Sequence, residues 1–366
     1  MNPEMKKISW KELMFAVFCF MHSTILRSGF IISGTRNDSW AMAFTGLLFT
    51  LPMVAIYAVL LRKFPGKSLI EIDDIIFGPV LGKIVSALYL FFFVSLAALN
   101  TRDLGNFVVG YMMLETPLAA VIFIFLIGCV YTIRKGIENL MNLSTFLFII
   151  SVGALAVNCV LVLRYIQPEF LKPFFRLEPL KYVQGTVSVA AVPMGEVLAF
   201  TMVTPLLGKD KKAAKPLLLS IVSLPAFESM RYVSLEYTLT RMESIYAVIL
   251  VILYLFKVSI LIYAFALGLT QMLSRKSQLY PNPDNANRLY ERERLLSLRG
   301  YPPFLLISAA FVFFYSLFVF ESIMENMDWG ATTAPFFSLT FELLLPAVSL
   351  LAASLRKAGG AREVKA

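Results

Sequence analysis

The sequence predicts an all-α polytopic membrane protein. Of its 366 residues, 58% are hydrophobic and only 16% are charged, whereas a soluble domain of this length would carry far more charge on its surface. The apolar residues form long continuous runs, and about 20 helical residues are enough to cross a hydrocarbon core roughly 30 Å thick. Composition and run length together indicate a chain built mainly of transmembrane helices.

Nine apolar runs have a length suited to a membrane span. A tenth run, "PLLLSIVSLPAF" between Lys215 and Ser244, contains Pro225 and is too short to cross the core unaided. We interpret it as a short seventh span, because only then do the basic residues sort to one side. The nine clear runs lie at roughly 12–33, 40–61, 83–108, 117–133, 143–165, 184–206, 245–273, 302–320 and 332–355.

The basic residues favour ten spans with both termini in the cytoplasm. Most Lys and Arg then fall on one side of the membrane, and the positive-inside rule makes that side cytoplasmic. This distribution explains the net charge of +9 without a nucleic-acid partner, since the charge is not gathered on one face. The basic segments are 6–11, 62–67, 134–135, 209–215, 275–299 and 356–365.

We interpret residues 1–366 as a single transmembrane domain. It contains two repeats, at about 9–165 and 183–355, and a cytoplasmic loop at 274–301. The loop begins with the turn-rich "PNPDN" and continues with a charged run that can form a short helix. This run is either a solvated linker or a docking helix whose apolar side is formed by Leu289, Leu295, Leu296 and Leu298.

The composition argues against an enzyme. The chain has a single histidine, His22, and its loops supply neither a Ser–His–Asp constellation nor a Gly-rich phosphate-binding loop. Its three cysteines lie within spans and resemble small core residues rather than disulfide or metal-binding residues. We therefore expect no catalytic activity, no cofactor and no metal site.

Polar residues at membrane depth are the functional candidates, because burying ionisable groups in a bilayer is energetically expensive. They occur in the first, third, sixth, eighth and tenth predicted spans. They are His22, Ser23, Thr24, Arg27, Asn100, Arg102, Asp103, Asn106, Glu196, Lys257 and Glu342.

The stretch "AAVPMGEVLAF" at 190–200 predicts a broken helix in the sixth span. Pro193 removes a helical hydrogen bond and Gly195 lets the backbone leave helical geometry, so that backbone groups are freed for a ligand. Transporters with five-plus-five inverted repeats place such breaks in the first helix of each repeat. The polar first span, "CFMHSTILRSGF", matches this position. We therefore predict a ten-span inverted-repeat, transporter-like fold with broken helices 1 and 6.

Five motifs carry a resemblance to a known family. They are "ISWKELMFAVF", "RKFPGKSL", "TRDLGNFVVGYMMLETPL", "IRKGIENLMNLS" and "PMGE". Over most of its length the chain resembles the B-subunit family of spore germinant receptors, the endospore germination permeases of the amino acid–polyamine–organocation superfamily. The resemblance implies a nutrient sensor that binds a small germinant, such as an amino acid. It also implies a membrane A subunit and a C lipoprotein as partners in the lipid of the inner spore membrane.

The resemblance also implies a pocket at the two breaks. Its lining would be Ser23 and Thr24 of the first break, together with Val192, Pro193, Met194, Gly195 and Glu196 of the second. Glu196 can accept the ammonium of an amino acid or pair with an arginine, and Arg27 or Arg102 can bind a carboxylate. Arg102 can instead pair with Asp103 or Glu196 and serve structure alone.

Departures from the family pattern leave several alternatives open. The first break reads "HSTIL" where glycines are common, so His22 either alters the ligand preference or is a core histidine. The seventh span is shortened relative to the family. A proton-coupled amino acid symporter of the same fold, with Glu196 or Lys257 as the coupling charge, remains the alternative function.

Overall fold

A computed structural model describes residues 8–24, 35, 38–163, 177–207, 243–273, 292, 294–298 and 302–356. The regular elements in these ranges are all helical, which confirms the all-α prediction. The α-helices are α1 (Trp10–His22), α2 (Ser39–Lys63), α3 (Leu69–Phe107), α4 (Leu118–Arg134), α5 (Ile137–Leu163), α6 (Pro179–Val189), α7 (Glu243–Leu273), α8 (Pro302–Phe318), α9 (Ile323–Thr332), α10 (Ala334–Leu339) and α11 (Leu345–Leu355).

Six helical segments of the described chain are long and apolar enough to cross a membrane. A seventh candidate is a bent pair in which α8 and α9 meet at 100°, and the apolar α4 is shorter, with 17 residues. The predicted seventh span, "PLLLSIVSLPAF" at 216–227, lies outside the described residues. The six segments are Ser39–Lys63, Leu69–Met112, Ile137–Ala154, Pro179–Met202, Ala247–Leu273 and Ala334–Leu355.

Two helices begin with the same capping motif. Ser9 at the start of α1 accepts a hydrogen bond from the Glu12 backbone, and the Glu12 carboxylate accepts one from the Ser9 backbone at 2.8 Å. Ser68 and Glu71 repeat this arrangement at the start of α3. Because each box satisfies two helix-end N–H groups, the sequences "SWKE" and "SLIE" fix where these helices begin.

The centre of the bundle is formed by α3 and α7, which pack along each other. Both are rich in fully buried side chains, including Phe92 and Phe93 of α3 and Tyr254 and Phe256 of α7. The helix α1 lies against α5 and also reaches α7. This packing brings the end of α1 and the middle of α7 together in the interior.

Residues 295–298 of the 274–301 loop pack inside the protein. Leu295, Leu296 and Leu298 are almost fully buried in the main core, and the Tyr263 hydroxyl donates a hydrogen bond to the Leu296 carbonyl at 2.7 Å. The interpretation of these three leucines as an external docking face is therefore wrong. They belong to the protein's own core, whereas Leu289 lies outside the described residues.

Candidate functional site

The sixth predicted span changes helix type in its middle. α6 ends at Val189, and the chain continues as a π-helical turn at Ala190–Met194 and a 3-10 helix at Gly195–Met202. Val192 has extended torsion angles, φ −128° and ψ 108°, and its peptide bond to Pro193 is cis. Residues 190–202 are all buried, so this irregular backbone lies inside the protein.

The first predicted break has the same character over its described part. α1 ends at His22, and Ser23 and Thr24 form a 3-10 turn. The Ser23 hydroxyl donates to the Phe20 carbonyl at 2.6 Å. Arg27 lies outside the described residues. All three of His22, Ser23 and Thr24 are buried, as expected for residues that line an interior site.

Lys257 joins the two breaks. This lysine in the middle of α7 is fully buried and forms an ion pair with Glu196. Its ammonium also donates a hydrogen bond to the Thr24 hydroxyl at 2.7 Å and lies 4.9 Å from the centre of the Phe20 ring, a cation–π contact. This cation of α7 therefore contacts both the end of the first span's described part and the sixth-span break.

Glu342 adds a second carboxylate to this cluster. It lies in a π-helical turn, Thr340–Leu344, and is fully buried. A Cβ atom on Gly195 would clash with the Glu342 carboxylate and lie 3.1 Å from Met53 Cε. The Tyr57 hydroxyl donates to the backbone carbonyl of Glu342 and so anchors this turn. Glycine at 195 is thus required for Glu342 to approach the break.

The sequence had already marked Glu342 as an ionisable residue at membrane depth, but it did not assign Glu342 to the pocket. The signal was a lone carboxylate in an apolar span. No spacing in the sequence relates this carboxylate to Glu196, since the contact joins two distant segments.

The central cluster contains more negative than positive groups. Glu196, Glu342 and Lys257 are each fully buried, and with all three ionised the net charge is −1. Among the described residues, the Glu342 carboxylate has no hydrogen-bond partner, and Glu196 has none beyond the Lys257 ion pair. Because buried polar groups are nearly always satisfied, this cluster has unused capacity for one more cation or donor.

Arg102 and Asp103 lie in a different arrangement. Arg102 donates to the carbonyls of Ser316 and Leu317, at 3.1 and 2.9 Å, near the end of α8. Asp103 accepts a hydrogen bond from the Asn326 amide of α9 at 2.7 Å. These contacts tie α3 to the sharp bend between α8 and α9, and they favour a structural role for the pair.

His22 contacts an aromatic ring at the end of α1. The imidazole stacks on Phe18, with ring centres 6.1 Å apart. No group of three or more His, Cys, Asp or Glu among the described residues is arranged to hold a metal ion. Of the proposed pocket residues, Thr24 and Glu196 are linked because both contact the Lys257 ammonium.

Comparison with known proteins identifies the family. The sequence profile of the family described as "Spore germination protein" matches residues 7–224 of this chain, more than half of its length. The chain belongs to the spore germination protein family. It is 25% identical over 385 residues to "Spore germination protein KB" of Bacillus subtilis (strain 168), covering 97% of this chain and 96% of that protein.

A second relative extends the comparison. "Spore germination protein B2" of the same organism is 22% identical over 178 residues, covering 47% of this chain and 48% of the relative. Together the matches confirm the resemblance to the B-subunit family of spore germinant receptors. Membership agrees with an integral membrane protein rich in apolar helices, and the family is one of germination permeases rather than of enzymes.

Proposed function

We propose that this chain is the nutrient-sensing subunit of a spore germinant receptor and binds an amino acid at the two helix breaks. The observation that carries the proposal is a buried cluster in which Glu196 pairs with Lys257 while a second carboxylate, Glu342, lies against Gly195 without a hydrogen-bond partner among the described residues. An amino acid brings a second ammonium, which can balance the carboxylate that Lys257 does not. Its carboxylate would be held by Lys257 and by backbone N–H groups at the breaks, since helix starts favour anions.

Binding at this place also offers a route for the signal. Lys257 holds the end of α1 through Thr24 and the sixth-span break through Glu196. A ligand ammonium that competes for Glu196 would weaken this link and let α1 move relative to α7. The differential contact of the ligand with the two arrangements supplies the free energy for the change. The A subunit and C lipoprotein would detect it in the inner spore membrane, with both termini of this chain in the cytoplasm.

The test is germination of spores that carry Glu196→Gln. We expect the amino acid response to be lost while the amount of protein in the membrane is unchanged, because Glu342 remains as a counter-charge for Lys257. The matched control is Asp103→Asn, which makes the same chemical change in the other buried cluster and should keep the response. A normal response in Glu196→Gln would exclude the pocket.

A proton-coupled amino acid symporter is the second candidate. The excess negative charge of the cluster favours it as well, because a proton can neutralise the second carboxylate as an ammonium can. The Lys257–Glu196 pair would then be the coupling element. Proton-dependent uptake by the chain in proteoliposomes would support transport, whereas binding without uptake would leave the receptor proposal alone.

A further inference from the structure

A groove on the outside of the bundle runs between α4 and α8, away from the central cluster. It encloses about 820 Å³, which lies within the roughly 300–1,000 Å³ typical of small-molecule sites. Its walls are mostly apolar, with Phe123 and Ile127 on one side and Phe313 on the other. The charged residues of its lining, Arg134 and Lys135, both lie at one end.

The two helices run in opposite directions along the groove. Phe123, near the beginning of α4, packs edge-on against Phe313, near the end of α8, with ring centres 5.9 Å apart. The end of α4, with Arg134 and Lys135, therefore lies beside the start of α8 at Pro302. The two basic side chains therefore make this end of the groove positive.

The length of the groove matches one leaflet of a bilayer. Eleven residues separate Phe123 from Arg134, a distance of about 16 Å at 1.5 Å per residue. Half of a hydrocarbon core roughly 30 Å thick is about 15 Å. A partner's transmembrane helix would need about twice this length. A lipid chain that begins at the headgroup layer needs only one leaflet.

The positive end of the groove is open to a ligand. Arg134 and Lys135 are exposed, and neither forms an ion pair with any residue in the described ranges. The Lys135 ammonium lies 5.2 Å from the centre of the Tyr131 ring, one helical turn nearer the membrane centre. Tyrosine is enriched at the depth of the lipid headgroups, which places the two cations where a phosphate would be.

We propose that the α4–α8 groove binds an anionic phospholipid. The phosphate lies between Arg134 and Lys135 at the start of α8, and one acyl chain lies between Phe123 and Phe313. Basic pockets between transmembrane helices are known to hold anionic headgroups. This site is independent of the nutrient pocket, because it shares no residue with the central cluster.

The first experiment compares two lipids on the full-length chain. The delipidated protein in neutral detergent is incubated with phosphatidylglycerol or phosphatidylcholine, and bound lipid is measured by native mass spectrometry. We expect preferential retention of phosphatidylglycerol. Because each basic residue near the surface contributes about a fivefold preference, R134Q/K135Q should lower this retention about 25-fold. The matched control R62Q/K63Q, which removes the same charge at the end of α2, should not.

A second variant tests the apolar part of the groove. Ala310 lines the groove and is exposed, so the larger side chain of Ala310→Trp fills the groove without entering the core. We expect this variant to lose phosphatidylglycerol although both cations remain, and its melting temperature without lipid to equal that of the wild type.

Three results would overturn the proposal. Equal retention of the two lipids would show that the site does not select an anionic headgroup. Full retention by Ala310→Trp would show that the lipid does not lie in the groove. An equal loss in R62Q/K63Q would show that only diffuse surface charge attracts the lipid.

Discussion

In the part of the chain that the structure describes, the α3 cluster and the central cluster both contain buried charged residues, but these are satisfied to different degrees. In the α3 cluster, Arg102 donates to two carbonyls of α8 and Asp103 accepts from Asn326. In the central cluster, Glu196 pairs with Lys257, but among the described residues neither its carboxylate nor that of Glu342 has any other hydrogen-bond partner.

This difference separates an anchor from a binding site. A buried charge whose partners are all provided by the protein fixes the packing of helices, and it gains nothing from a ligand. A buried cluster with an excess of one sign is costly until a counter-charge arrives. We therefore assign structure to the α3 cluster and ligand binding to the central cluster.

The largest effect is expected for the double variant E196Q/E342Q. It leaves Lys257 buried with no carboxylate beside it, and removal of a buried ion's partners costs about 3–5 kcal/mol. We expect a large loss of folded protein in the membrane, measured by fluorescence-detected size exclusion, while each single variant remains folded.

The double variant has a direct rescue control. Adding Lys257→Met removes the orphaned cation and should restore the folded protein, since apolar replacement of a complete buried ion cluster is often neutral or stabilising. Wild-type amounts of E196Q/E342Q would show that the two carboxylates do not balance Lys257.

Arg102→Ala tests the anchor. It removes the donors of two carbonyls near the end of α8, and we expect a destabilisation of about 2–3 kcal/mol that appears as a lower melting temperature. The ligand-induced rise in melting temperature should be unchanged. If that rise disappears while the protein stays folded, Arg102 belongs to the binding site and the comparison fails.

Gly195→Ala tests the close approach of Glu342 to the break. The added methyl group meets the Glu342 carboxylate, and overpacking of this kind costs about 1–3 kcal/mol. We expect a lower melting temperature and a weakened ligand response. Gly153→Ala in α5 is the matched control, because a Cβ atom there meets no atom within 4 Å. Equal behaviour of the two variants would contradict the contact.

Thr24→Val is expected to have the smallest effect. It removes one hydrogen bond from the Lys257 ammonium at nearly constant volume and should destabilise the protein by about 1.5 kcal/mol, because the donor is charged. The expected consequence is a change in ligand affinity, measured by titration with an amino acid. The control is Thr132→Val, whose hydroxyl bonds within its own helix to the Gly128 carbonyl. Unchanged ligand affinity in Thr24→Val would show that Thr24 does not contribute to the pocket.

Local chemistry made part of this structure predictable from sequence. Pro193 disturbs the helix where it stands, and Val192 before it has non-helical torsion angles. The prediction that Gly195 leaves helical geometry is wrong, since its torsion angles are helical, φ −72° and ψ −28°. The end of α1 at His22 coincides with the polar "HST" segment. Such features depend on a few consecutive residues, whose conformational limits are known in advance.

Long-range partners were not predictable. Lys257 and Glu342 were recognised as buried ionisable residues, but their contacts with the break depend on how α7 and the last helix pack. The carbonyl partners of Arg102 lie more than 200 residues away along the chain. For Leu295 and its neighbours, a charged run suggested an outer helix, whereas burial of apolar area drew them into the core.

The most direct test of the central claim is a thermal-shift measurement on the purified full-length chain with single amino acids. A ligand at 100 times its Kd stabilises the folded state by about 2.7 kcal/mol. We predict that one amino acid raises the melting temperature of the wild type and of Asp103→Asn, but not that of Glu196→Gln. An equal rise in Glu196→Gln would contradict the assignment of the ligand to the central cluster.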